Sequence, residues 1–129
     1  MTELPPRRSF FRLFSFYWVP VFIYVTIIFS LSAQPNLKPP IQFQNSDKFF
    51  HMLEYGGLSF LLSRGLRASA RLRLALTASL IVIFVGGGIA ASDELFQSLV
   101  PGRDSSLQDW FADMSGLILA QIVYVFTHD

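Results

Sequence analysis

Three observations predict an all-α integral membrane protein, a four-helix up-down bundle. Charged residues make up 15% of the 129, against roughly 25% in an ordinary soluble domain. Apolar residues reach 52% and aromatics 16%, leaving too few polar groups to cover the large relative surface of so small a soluble globule. Two uncharged runs of 18 residues, 16–33 and 74–91, approach the ~20 needed to cross the hydrocarbon core of a bilayer. Alternation with period two, the mark of a membrane β-barrel, is absent. The length allows a single domain, 1–129. Without cysteine there is no disulfide framework, thiolate metal site or cysteine nucleophile.

Residues 1–12 are short, polar and basic. The first helix is expected over about 15–33, with Pro20 near its start, where proline disrupts least. Its apolar run is long for a signal peptide and lacks a clear small-residue cleavage pattern, so it reads as a retained span. Pro35, Pro39 and Pro40 mark residues 34–46 as a loop. A second helix is expected over about 47–66, its apolar content interrupted by Lys48, His51, Glu54 and Arg64. A basic linker with Arg64, Arg67, Arg71 and Arg73 then leads into a third helix over about 73–99. That helix carries Gly86, Gly87 and Gly88, which would weaken a soluble helix but allow close helix approach in lipid. Pro101 and Gly102 make a turn. A fourth helix is expected over about 106–126, with Asp104, Ser105 or Ser106 as candidate caps. Short connections between four helices suggest the up-down arrangement.

Charge placement predicts orientation. Seven basic residues, Arg7, Arg8, Arg12, Arg64, Arg67, Arg71 and Arg73, fall on one side of a four-span chain, and only Lys38, Lys48 and Arg103 fall on the other. Basic loops stay cytoplasmic, so both termini are expected inside a multi-pass inner (cytoplasmic) membrane protein. Of nine carboxylates, Glu3 and Asp129 lie on the cytoplasmic side. The other seven, Asp47, Glu54, Asp93, Glu94, Asp104, Asp109 and Asp113, lie at the outer side. Acidic residues contribute little to orientation, so their clustering points to a site at the outer face.

Helical spacing predicts how that site is built. Asp47, His51 and Tyr55 stack on one face of the second helix, with Lys48 and Glu54 beside them. Asp93 and Glu94 share faces with Gln97 at the end of the third. Asp109 and Asp113 share a face of the fourth, and Gly116 leaves room for a close neighbour. Ionisable groups at this depth must face a bundle interior or a wet cavity. Asp109 suits the positive end of a helix dipole; Asp113 lies deeper. His51 reads either as a structural donor to a carboxylate or as a catalytic or ligand group. Arg103 reads as a clamp for a carboxylate between helices or as a ligand contact. Lys48 offers a second positive charge or snorkels to the interface. Ser92 and Ser115 sit in no nucleophile motif.

The pattern Asp47-Lys48-x-x-His51-x-x-x-Tyr55, then Asp93-Glu94-x-x-Gln97 with Arg103 six residues on, then Asp109-x-x-x-Asp113-x-x-Gly116, resembles the VanZ-like family over about residues 15–126. These are small membrane proteins named after an accessory protein of teicoplanin resistance. Family members often carry asparagine where this chain has Asp113, which changes the charge balance of any cation site. The resemblance implies a bacterial envelope setting and a role in glycopeptide resistance, without implying a reaction.

Two functions compete. One is a non-enzymatic module whose acidic and histidine-bearing pocket binds a cell-wall precursor, a lipid headgroup or a glycopeptide. The other is a small intramembrane enzyme acting on a lipid-linked envelope substrate, with His51 or Glu54 as base, Asp93 or Glu94 as second carboxylate and Arg103 as an anion clamp. No cofactor is expected; His51 with the carboxylates offers N and O donors for a divalent cation, but no strong metal motif is present. An ion path has poor support, because the inner half of the bundle lacks matching polar residues and the run 74–91 is uncharged. Membrane lipids are the expected surroundings. Nucleic acid is excluded as a partner because the basic residues follow topology, and the oligomeric state leaves no mark.

Overall fold

The computed structural model describes residues 9–70 and 75–128. Among these residues all regular structure is helical. Helix α1 spans Phe10–Ser32, α2 Ser46–Ala70, α3 Ala75–Ser98 and α4 Leu107–His128. Helices α1, α3 and α4 are long and apolar enough to cross a membrane. Helix α2 is long enough but carries Asp47, Lys48, Glu54, Arg64 and Arg67, which lowers its apolarity.

Two boundaries differ from the sequence expectation. Helix α1 begins at Phe10, so Pro20 lies inside it. Proline removes one backbone donor and crowds the carbonyl a turn earlier. The backbone responds with a π-helical turn at Phe14–Trp18 before ordinary α-helix resumes over Val19–Ser32. Helix α2 runs on to Ala70, so Arg67 joins Arg64 in the helix and does not belong to a linker. Their guanidinium groups lie over aromatic rings: Arg64 5.3 Å from the Phe16 centroid and Arg67 5.6 Å from that of Tyr124. Arg7, Arg8, Arg71, Arg73, Glu3 and Asp129 lie outside the described residues.

Helix α2 packs against α4 and α3, and α1 packs against α2 and α3. Gly116 sets the closest approach. A methyl group there would fall on the backbone carbonyl of Met52, so only glycine lets α4 pass this near to α2. Of the glycine triplet, Gly86 and Gly87 make room for Leu117 and Met114, whereas Gly88 faces open space. The core holds Val21, Ile28, Tyr55, Leu58, Leu62, Val82, Ala90 and Leu117. Next to it lies a buried polar node, where the Gln121 amide donates to the hydroxyls of Ser59 (2.6 Å) and Ser63 (2.8 Å).

The ends of the helices meet in two groups. At one, the Trp18 indole donates to Ser69 Oγ at 2.8 Å, joining the start of α1 to the end of α2. At the other, the end of α1 meets the end of α3 where Gln97 Nε2 donates to Ser32 Oγ at 3.0 Å. The loops above this second end are joined as well, because Asn36 N–H donates to the carbonyl of Gly102 at 3.1 Å. Gly102 has φ +79°, a left-handed conformation that glycine adopts at no steric cost.

Candidate functional site

The polar residues singled out by spacing meet at this second end. The start of α2, the end of α3 and the start of α4 contribute them, and they form two layers.

The inner layer is a set of hydrogen-bonded pairs between helices. His51 Nδ1 lies 2.8 Å from Asp113 Oδ1, and Asp113 is fully buried. With Asp113 ionised, Nδ1 is the donor and the imidazole presents its other nitrogen elsewhere. Glu94 approaches the same Nδ1 at 4.0 Å. The Tyr55 hydroxyl donates to Asp93 Oδ2 at 3.2 Å, and Gln97 Nε2 donates to that oxygen at the same distance. Lys48 Nζ bridges Asp47 (2.9 Å) and Asp109 (2.8 Å). Ser106 caps α4 by accepting from Asp109 N–H at 3.2 Å while its hydroxyl donates to Asp109 Oδ2 at 2.8 Å. Its own N–H donates to Glu94 Oε2 at 3.3 Å.

Several acceptors in this layer remain open. Asp93 Oδ1, Glu94 Oε1 and Asp113 Oδ2 are buried without a hydrogen-bond partner. Such groups are costly to leave unmade, and their presence at one place marks a region not built for stability alone.

The outer layer lines a cavity of about 490 Å³ between α1, the loop at 33–45 and α2. Asp47, His51, Glu54, Gln97 and Arg103 supply its polar side, together with Lys38 and Ser32. Ile27, Ile28 and Leu31 of α1 and Leu53 of α2 supply apolar wall. Ile27, Leu31 and Leu53 are also exposed on the outside of the bundle. The cavity therefore joins a polar end to a surface of the kind that faces lipid.

Of the eleven residues expected in the site, five line this cavity and the other six do not; one of those six, Glu94, borders a separate recess with Ser105 and Ser106. Tyr55 is fully buried and serves Asp93. Asp109 has both oxygens engaged, by Lys48 and Ser106, which makes it a structural member of the cap. The carboxylate beside His51 is Asp113, across the α2–α4 contact. One expectation is corrected. Arg103 clamps no carboxylate: among the described residues none lies within 4.0 Å of its guanidinium nitrogens. Sequence reasoning missed Lys38 and the apolar wall of α1, since a lone loop lysine and a uniformly apolar helix carry no motif.

His51, Glu94 and Asp109 offer donor atoms within 4.8 Å of one another, the spacing of a metal site. The fit is poor. Both Asp109 oxygens already accept from Lys48 and Ser106, so the Lys48 ammonium supplies the positive charge that a cation would bring.

Helices of membrane-spanning length around a partly open polar cluster define the class, a small helical membrane protein. The model of the VanZ/LLP1 family matches residues 2–128, and the chain belongs to that family. No curated protein and no solved structure is matched significantly by the chain.

Proposed function

We propose that this chain is an inner-membrane protein of the bacterial envelope whose outward-facing cavity binds the headgroup of a lipid or of a lipid-linked cell-wall precursor. The observation that carries this reading is the cavity's two-sided lining, with His51, Glu54, Gln97 and Arg103 on one side and Ile27, Leu31 and Leu53 on the other. An amphiphile with a hydrogen-bonding head and a hydrocarbon tail matches both. The alternating contacts at the two ends support an up-down bundle, and the basic N-terminal segment and the arginines at the end of α2 favour cytoplasmic termini.

A volume of about 490 Å³ suits a drug-sized group. A whole glycopeptide antibiotic is too large for it. A part in teicoplanin resistance would then act through the precursor that the drug recognises.

The test is lipid retention. The protein purified in mild detergent should carry a lipid or precursor visible by native mass spectrometry, and Leu31→Trp, which fills the cavity from its exposed wall, should remove it. Equal retention by the variant, or no bound lipid in the wild type, overturns the reading.

An enzymatic reading is favoured by one observation, the His51–Asp113 pair at 2.8 Å. A carboxylate that holds Nδ1 orients the ring and leaves Nε2 as a base, with Glu54 in the cavity as a second proton carrier. Incubation with lipid-linked precursors would then give a new product that is lost in His51→Ala. Unchanged substrate in both samples removes this reading and leaves binding.

A further inference from the structure

We propose that Lys38 and Arg103 form an anion clamp that holds the phosphate of a membrane amphiphile in the cavity. The inference rests on reading the cavity as a headgroup site, and it names the headgroup's chemistry.

Three basic residues lie at the site end of the molecule without a part in topology, and their uses differ. Lys48 is engaged by Asp47 and Asp109. Lys38 and Arg103 both line the cavity, and among the described residues no carboxylate oxygen lies within 4.0 Å of the charged nitrogens of either. Two cations without an ion pair against one such carboxylate, Glu54, in the same cavity leave an excess positive charge that suits a negative group arriving with the ligand. Arg103 adds a second sign. Its Nε is buried and has no hydrogen-bond partner. A planar guanidinium with a free donor is suited to the oxygens of a phosphate.

The two cations are held in place before any ligand arrives. Arg103 follows the turn at Pro101 and Gly102 and its N–H donates to the carbonyl of Val100 at 3.2 Å. The loop bearing Lys38 is tied to that turn by the Asn36–Gly102 backbone bond at 3.1 Å. Pro39 and Pro40 stiffen the segment beyond Lys38. Preorganisation of this kind reduces the ordering cost of binding. Glu54 faces the same cavity and suits a hydroxyl on the ligand, while Ile27 and Leu31 receive its hydrocarbon.

The experiment uses the full chain in mild detergent and three probes: dioleoylphosphatidate, dioleoylglycerol and inorganic phosphate. Wild type should bind phosphatidate at least about tenfold more tightly than dioleoylglycerol, and inorganic phosphate should not displace it at equal concentration. Lys38→Gln and Arg103→Gln should each weaken phosphatidate binding about tenfold and leave dioleoylglycerol unchanged, while Lys38→Arg keeps the preference. Lys38 is exposed in a loop, so its variants report even where Arg103→Gln fails to fold. Equal binding of both lipids, unaffected by Lys38→Gln, overturns the clamp and leaves the headgroup cavity standing. Full displacement by inorganic phosphate shows a free anion as ligand and overturns the amphiphile. Binding of neither lipid removes the cavity reading itself.

Discussion

Substituting Gly116 by alanine tests how the site is assembled. The new methyl would overlap the carbonyl oxygen of Met52, so α4 and α2 must part by roughly 1 Å to regain van der Waals spacing. His51 and Asp113 lie beside this contact, one residue from Met52 and one helical turn from Gly116. Their bond, 2.8 Å in the native arrangement, would open towards about 3.8 Å, which is no longer a hydrogen bond. Overpacking costs about 1–3 kcal/mol, and an interhelical hydrogen bond in a membrane contributes on the order of 1 kcal/mol. Steric strain therefore dominates the loss of stability, and the hydrogen bond is the more specific reporter. The chain has two histidines, His51 and His128, so the imidazole nitrogens are readable by nuclear magnetic resonance. Wild type should show one ring protonated at Nδ1 with a strongly deshielded proton. Gly116→Ala should lose that signal and melt at a lower temperature. An unchanged signal together with an unchanged melting point would refute the proposed role of Gly116.

Two further outcomes follow from the same packing. Gly88→Ala meets no neighbour and should stabilise the protein by about 0.4–1 kcal/mol, whereas Gly86→Ala meets Leu117 and should destabilise it, a difference in sign that thermal melting in detergent reads directly. The chain lacks cysteine, so single cysteines at Ser69 and at Asp104 can be labelled without background; an impermeant maleimide added to intact cells should reach position 104 and not 69, and the reverse pattern would invert the orientation.

Helix number and order were legible because each follows from local composition: two uncharged runs, proline-rich breaks, and Ser106 ahead of Asp109 as a cap. The faces of single helices were legible too, since Asp93 and Gln97 stand four residues apart and do bond. Relations between helices were less so. Spacing offered His51 a carboxylate partner without saying which, and the close approach of α4 to α2 at Gly116 accompanies the choice of Asp113. The start of α1 was misjudged because the effect of Pro20 depends on whether the backbone can widen by a π turn, a response that no local propensity encodes. Arg103 looked like a carboxylate's partner because acids surround it in sequence; its direction depends on the turn at Gly102 and on the loop bonded to it.

The backbone bond between Asn36 and Gly102 ties the two rim loops together, while Ile27, Leu31 and Leu53 leave the flank of the cavity uncovered. Entry from the side requires no loop to swing away. On the headgroup reading, a guest would slide in from the surrounding leaflet, where its local abundance is far greater than in water. Modest intrinsic affinity would then keep such a receptor occupied, with exchange limited by lateral diffusion within the sheet of lipid.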